Sequence, residues 1–435
     1  MIYIMNYKAS NKSKQYLNLY FQVHQPRRLR RFQFFDIGSG ISYFDDSLNE
    51  NILQRIARDS YIPANELLLK LIRKYPSVRI TFSISGIALE QFQEYAPAVL
   101  DSFRNLAATG KVEFLGETYY HSLSFLTDKN EFIAQVGQHK QKIEELIGIS
   151  PSVFRNTELI YSDAIGSMMY DLGFKGIYLD GIEGILKGRS PNKVYTHPDS
   201  DLMLFPRNYA LSDDIAFRYS DANWNQWPLT PGKFVNWLQQ IPAEQNYIGL
   251  GMDYETFGEH QKASGGIFKF LEQVISILAN LRQFGFINPS EVVKRDSAGD
   301  TLSTSKIISW ADQARDLSAW LGNDLQRDAF DSLNKLHHDI IDTNNADLID
   351  DYRHLQTSDH FYYMSTKKSD DGNVHQYFSP YSSPYEAFMN YMNVVSDLEW
   401  RVKKEIEKQA LKFKTQQMES LVTMGINNPS LIGSS

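Results

Sequence analysis

Four short stretches of this sequence gather side chains able to do chemistry. They are His24-Gln25-Pro26, Glu117 through His121, Arg155-Asn156-Thr157-Glu158, and Asp253 through His260. Each directly follows a short apolar run. In parallel βα barrels the active site forms at the C-terminal ends of the strands. Four such ends carrying carboxylates, histidines and aromatics therefore converge on one cleft. Two carboxyls from different strand ends, with no cysteine in the chain, suit glycoside hydrolysis. One carboxyl protonates the leaving oxygen, while the other attacks the anomeric carbon or activates water. Residue type and spacing leave open which acid does which job.

Each stretch also has a plain structural reading. A lone His24 reads as a hydrogen-bonded structural histidine, and Glu117 and Glu158 as solvated loop acids. Glu255, Glu259 and His260 could cap the following helix, where acids near the N-terminus are favourable. The run of Arg27, Arg28, Arg30 and Arg31 has no adjoining glycine-rich loop, so it is a solvated or ion-paired loop rather than a phosphate site. Trp224 and Trp227, in DANWNQWP, read equally as sugar-stacking residues or as packing under a long loop.

The elements that must position these residues are legible as apolar runs separated by helical patterns. The strand candidates are Tyr16 to His24, Val78 to Ser83, Val112 to Gly116, Ser152 to Phe154, Lys175 to Leu179, Leu202 to Phe205 and Tyr247 to Met252. Continuous apolar runs between helices indicate parallel strands buried on both faces. The spacing predicts helices over Asp128 to Leu146 and Gly266 to Leu281, then over Ile307 to Leu321 and Arg327 to Ile341. A last long helix starts at Ser383-Pro384 with Glu386 in its capping box. The expected organisation is a βα barrel over residues 1–287 and a helical region over 288–435, joined by the polar stretch beginning at Asn288.

Composition narrows the class. The chain has 435 residues, 42% hydrophobic and 22% charged, as in an ordinary globular protein. A net charge of −8 argues against a nucleic-acid partner. The absence of cysteine removes disulfides, thiolate metal sites and cysteine nucleophiles. The N-terminal stretch is polar after residue 5 and lacks an apolar core of signal-peptide length. No apolar run reaches the ~20 residues that span a bilayer. The expectation is a cytoplasmic protein with no membrane partner, no cofactor and no metal; its oligomeric state is left open.

Five blocks then resemble, in order, those of glycoside hydrolase family 57. They are VHQP at 23, EFLGETYYHSL at 113, VFRNTELIYSD at 153, GLGMDYETFGEHQ at 248 and LQTSDHFYYMS at 355. The resemblance implies an incomplete seven-stranded parallel (β/α) barrel with a C-terminal α-helical region that closes over the cleft. It implies a retaining mechanism on α-glucans or maltooligosaccharides, with Glu158 as nucleophile and Asp253 as general acid/base. His24, Gln25, Glu117, His121, Arg155, His260, Asp359 and His360 would bind substrate or support the site, with Trp224 and Trp227 as stacking candidates. The match is closest to the shorter amylase-like members.

Three other readings stay in view. A 4-α-glucanotransferase or branching-type transglycosylase would use the same residues, with a sugar hydroxyl replacing water. A metal-dependent polysaccharide deacetylase would make His24, Asp253 and His260 ligands. A non-catalytic glucan-binding protein would bind without turnover.

Overall fold

A computed structural model describes residues 14–296, 299–367 and 379–423. The polar N-terminal stretch, up to residue 13, and residues 297–298 of the stretch after Asn288 lie outside the described residues. Eight strands belong to the main sheet's first part: β1 (Gln15–Val23), β2 (Ile80–Ile84), β3 (Val112–Phe114), β4 (Val153–Phe154), β5 (Gly176–Asp180), β6 (Tyr195–Thr196), β7 (Met203–Arg207) and β8 (Tyr247–Asp253). Their order along the sheet is β3-β2-β1-β8-β7-β5-β4, and these seven run parallel. β6 lies antiparallel against β7, and the short strand Phe284–Phe286 pairs with the start of β1. The two ends of the path meet at one bridge, Gly116 with Phe154. The result is the seven-stranded, incompletely paired (β/α) barrel, with helices outside and a helical region following it.

Burial explains why these runs become parallel strands. β1, β2, β5 and β7 are buried along nearly their whole length, as both faces of such a sheet are covered. Inside, Tyr20, Tyr178, Phe205 and Tyr247 stack in sequence, with ring centroids 4.7, 5.5 and 5.5 Å apart. The Tyr178 and Tyr247 hydroxyls donate to Asn18 Oδ1 at 2.6 and 3.2 Å. This aromatic floor fills the barrel below the site. Gly251 in β8 makes room for it, because a Cβ there would overlap the Tyr20 ring. Outside, helix Ile267–Asn280 buries Ile267, Phe270, Leu271, Val274, Ile275 and Leu278, as its periodicity predicts. Each such side chain contributes about 1.5–3 kcal/mol of burial.

A second apolar cluster joins the two parts of the chain. It combines Phe154, Ile177 and Leu204 of the strands with Leu333, Leu355, Phe361, Leu398 and Val402 of the later helices. The long helix Pro384–Thr423 starts where its sequence indicates, with Ser383 Oγ accepting from the Glu386 N–H at 3.1 Å.

Three sequence expectations need correction. The stretch Ile307 to Leu321 is not one helix; only Ser318–Leu321 is helical. Ile308 instead bridges Tyr161, and Trp310 and Arg315 reach to the strand ends. These long-range bonds outweigh a local helical pattern. The polar stretch after Asn288 begins as helix Pro289–Arg295, with Asn288 and Glu291 forming a capping box. The pattern over Arg327 to Ile341 resolves into two helices, Asp324–Asn334 and His337–Thr343.

Candidate active site

Glu158 stands in a turn just past β4. The chain leaves the sheet as the Arg155 N–H donates to the Gly116 carbonyl at 2.8 Å. It then turns tightly, with Glu158 and Leu159 both in the left-handed region, at φ 55° and 51°. Non-glycine residues adopt that region at about 1–3 kcal/mol each, and such strain persists only where surroundings over-determine it. Here Asn156 Nδ2–H donates to the Ile160 carbonyl at 3.1 Å, and the Thr118 and Thr157 hydroxyls pair at 2.7 Å. The turn aims the Glu158 carboxyl into the cleft, where 22% of its side chain stays open.

Both Glu158 oxygens are held. His121 Nε2 bonds Oε1 at 2.9 Å, and the Trp310 indole N–H donates to Oε2 at 2.6 Å. Burial favours the neutral acid. The His121 bond and charge, the Arg155 charge and the Trp310 bond outweigh it, so the Glu158 pKa lies below the usual glutamate value. The group is ionised at neutral pH, as a nucleophile or a base must be.

His121 is itself left-handed, at φ 50°. Its imidazole stacks on that of His24, with centroids 3.9 Å apart and planes 21° from parallel. Burial, then the His24 charge, lowers the His121 pKa. Facing an ionised carboxylate, His121 carries a proton on Nε2 and donates. His24 has both ring nitrogens engaged: Nδ1 with Ser85 Oγ at 2.8 Å and Nε2 with Asp359 Oδ2 at 2.9 Å. Burial opposes its protonation, but the Asp359 carboxylate more than offsets this and raises its pKa. Asp359 in turn is held well below the usual aspartate range, burial being overcome by His24. The later helical region supplies Asp359, and its Ser358 N–H donates to the His121 carbonyl at 3.0 Å. His360 is buried beside Tyr391, which pushes its pKa down to about 4.

Asp253 ends β8, in register with Gln22 of β1. Burial, then the charges of Glu255 and Glu158, raises its pKa to about 7; Arg155 and Arg207 pull the other way. Glu255 is buried beside it. Its Oε1 accepts from the Tyr61 hydroxyl and from Gln25 Nε2, the latter at 3.2 Å. Tyr61 closes a single π-helical turn, Ala57–Tyr61, a distortion often found at functional sites. The backbone N–H of half-buried His260 donates to the Glu255 carbonyl at 2.9 Å, and desolvation of its ring lowers the pKa to about 4.

Beneath the carboxyls, Arg155 is wholly buried. Its Nε–H donates to the Tyr20 hydroxyl at 3.3 Å, and its guanidinium lies 4.8 Å from the Trp310 ring. Glu117 accepts from Ser83 Oγ at 2.7 Å and Gln22 Nε2 at 3.2 Å. At the ends of β5 and β7, Arg207 and Arg315 alternate with Asp180 and Asp213. Arg207 donates to Asp180 at 3.2 Å and to Asp213, and Arg315 to the same two acids at 3.1 and 3.4 Å.

The structure thus brings His24, Gln25, Glu117, His121, Arg155, Glu158, Asp253, His260 and Asp359 to one end of the barrel. Trp224 and Trp227 take another course. Trp224 packs edge-on against Trp237 at 6.1 Å with Arg218 over its ring, and Trp227 is 48% exposed. The Trp224 ring meets Trp237 of helix Pro231–Gln240 and Arg218, and the Trp227 N–H donates to the Trp224 carbonyl at 2.9 Å; none of these contacts is to Glu158 or Asp253. Sequence reading missed Trp310, which falls inside a segment with helical periodicity. It read Glu255 only as a cap of the following helix, whereas the buried carboxylate accepts from Tyr61 and Gln25 beside Asp253. Among the described residues, no group of three or more His, Asp and Glu side chains is disposed to hold a metal ion, and no helix is long and apolar enough to cross a membrane.

Residues 18–309 match the profile of glycosyl hydrolase family 57. A protein of Methanocaldococcus jannaschii named "Putative alpha-amylase" is 41% identical over 401 residues, covering 89% of this chain and 85% of that one. Among solved structures, a family 57 branching enzyme from Thermococcus kodakaraensis superposes with a TM-score of 0.66 at 14% identity, over 89% of this chain and 90% of that one. The 4-alpha-glucanotransferase of Thermococcus litoralis gives 0.64 at 14% identity over 88% of this chain, which spans 60% of that longer chain. At such identities the superpositions speak to the fold, while the profile and the 41% relative speak to ancestry. The chain is a member of glycosyl hydrolase family 57.

Proposed function

We propose that this enzyme is a retaining hydrolase of α-1,4-glucosidic bonds, acting on starch, glycogen or maltodextrins. The observation that carries the reading is the opposite tuning of two carboxyls that follow different strands, β4 and β8, at the same end of the barrel. Glu158 is held ionised by His121, Arg155 and Trp310, and Asp253 is held protonated up to about pH 7 by burial and by Glu255 and Glu158. Carboxyls pushed apart in this way divide the roles of base and acid. A Glu158 oxygen bonds the anomeric carbon as the glycosidic bond breaks, and the Asp253 proton goes to the leaving oxygen. Water then gives its proton to Asp253 and attacks the anomeric carbon, and the ester bond to Glu158 breaks. The amylase name of the 41% relative supports the substrate class.

The test is product analysis with maltoheptaose and soluble starch, with and without EDTA, beside Glu158→Gln and Asp253→Asn. The expected result is shorter maltooligosaccharides of retained α-configuration, unaffected by chelator and lost in both variants. Products longer than the heptaose would replace hydrolysis by transglycosylation on the same residues. Turnover abolished by EDTA would favour the metal-dependent deacetylase class instead. Binding without turnover would leave a glucan-binding protein.

A further inference from the structure

Trp310 lies one residue beyond the end of the family match at 309, in a loop with no helical or strand structure. Two of its bonds go to Glu158. The indole N–H donates to Oε2 at 2.6 Å, and the backbone N–H donates to the Glu158 carbonyl at 3.1 Å. The loop is fixed from three sides. Ile308 exchanges backbone bonds with Tyr161 at 2.9 and 3.0 Å. Ser309 donates twice across the loop, its N–H to the Arg315 carbonyl at 3.0 Å and its hydroxyl to the Asp316 carbonyl at 2.7 Å. The Arg315 guanidinium donates to the Trp310 carbonyl and to Asp180 and Asp213. Those acids also bind Arg207, whose guanidinium lies 5.3 Å from the Trp310 ring, as that of Arg155 lies 4.8 Å from it. Asp312 and Arg315 are both left-handed, at φ 54° and 51°. A loop that sustains such backbone strain is held by its contacts.

We propose that Trp310 is a positioning residue for Glu158, and that the ring of Arg207, Asp180, Arg315 and Asp213 fixes where its indole stands. The proposal rests on Glu158 being the nucleophile. The last torsion of a glutamate is broad and soft. Donors from two separate elements, His121 on Oε1 and Trp310 on Oε2, fix the plane of the carboxylate. Each carboxylate oxygen has two acceptor lobes, so one lobe per oxygen remains for the anomeric carbon. When the ester forms, one Glu158 oxygen bonds the sugar and the other keeps its donor. That donor then stabilises the negative charge that returns as the ester breaks. Simple packing would explain the half-buried ring, but not an indole N–H aimed at a carboxylate oxygen at 2.6 Å.

The experiment compares wild type, Trp310→Phe and Arg315→Met for kcat and KM on maltoheptaose across pH, after thermal melts confirm folding. Uniformly 15N-labelled samples of the same proteins and of Glu158→Gln give the indole N–H resonances of the six tryptophans. Trp310→Phe is expected to lower kcat about 10- to 100-fold with KM little changed. It also moves the acid limb up by about one pH unit, because a donor to the ionised form is gone. The other titratable and charged groups that interact with Glu158, namely His121, His24, Arg155 and Asp253, are unaltered in this variant. Arg315→Met keeps the indole and is expected to show the same changes at smaller size. The resonance missing from Trp310→Phe should shift in Glu158→Gln and in Arg315→Met. An unchanged kcat and acid limb in Trp310→Phe, or an indole resonance indifferent to Glu158→Gln, overturns the proposal. If wild type turns over no α-glucan, the functional reading fails, and the resonance comparison alone still decides the position of Trp310.

Discussion

Replacing Glu255 by glutamine tests the electrostatics of the acid most sharply. The Tyr61 hydroxyl and Gln25 Nε2 both donate to the same oxygen, Glu255 Oε1. A glutamine carbonyl can take that place and keep both bonds, so the change removes charge with little change of shape. Two unit charges about 5 Å apart, at an effective dielectric near 20, interact by about 3 kcal/mol. The opposing charges of Arg155 and Arg207 remain, and one pKa unit is about 1.4 kcal/mol. The Asp253 pKa, about 7 in the wild type, should therefore fall by about one to two units. The acid works protonated, so activity is lost as pH rises through this value. The basic limb of kcat/KM, which reports the free enzyme, should move to lower pH by the same amount. The assay is initial rates on maltoheptaose at low substrate from pH 4 to 9. Lost substrate contacts would lower the whole curve without moving the limb. A limb that stays in place, or moves up, would refute the claim that the Glu255 charge holds the proton on Asp253.

Two further predictions concern stability. His354 is buried between Glu90 at 3.1 Å and Asp350 at 3.4 Å, and their bonds and charges outweigh burial to raise its pKa to about 9. Its stabilisation is therefore full below about pH 6.5 and fades as pH rises through about 9. Because the Asp350 side chain is 57% exposed, His354→Gln should cost about 1–3 kcal/mol at pH 6 and less at pH 10, measured by urea unfolding. Gly251→Ala places a Cβ into the Tyr20 ring. Overpacking there should cost about 1–3 kcal/mol and, since Tyr20 holds Arg155, reduce activity as well. Unaltered melting and activity would show that the aromatic floor does not position the site.

Much of the barrel is legible in the sequence because its strands are buried on both faces. Runs such as Tyr16 to His24 and Tyr247 to Met252 are predominantly apolar for that reason, and they match β1 and β8 to within a residue. β6 and Phe284–Phe286 are two and three residues long, too short to show any period. The Ile307 to Leu321 segment has helical spacing but forms a loop, since its polar groups find partners on Glu158, Asp180 and Asp213 that no local pattern encodes. The carboxyls are legible as acids at strand ends. Their tuning is not, because it comes from residues far away in sequence. Asp359 is 335 residues from His24, and Trp310 is 152 from Glu158. The tryptophans of DANWNQWP show the converse case: a local aromatic signal whose main contact, Trp224 with Trp237, is to a helix.

The central claim is that Glu158 bonds the sugar while Asp253 moves the proton. It is tested most directly by mass spectrometry of the Asp253→Asn variant after incubation with α-maltotriosyl fluoride. Fluoride leaves without a proton, so the ester can form, whereas its hydrolysis lacks the base. The account expects a protein adduct of one maltotriosyl group, mapping to the peptide that contains Glu158 and absent when Glu158→Gln is added. Release of β-configured maltotriose with no adduct, or an adduct on another residue, would contradict it.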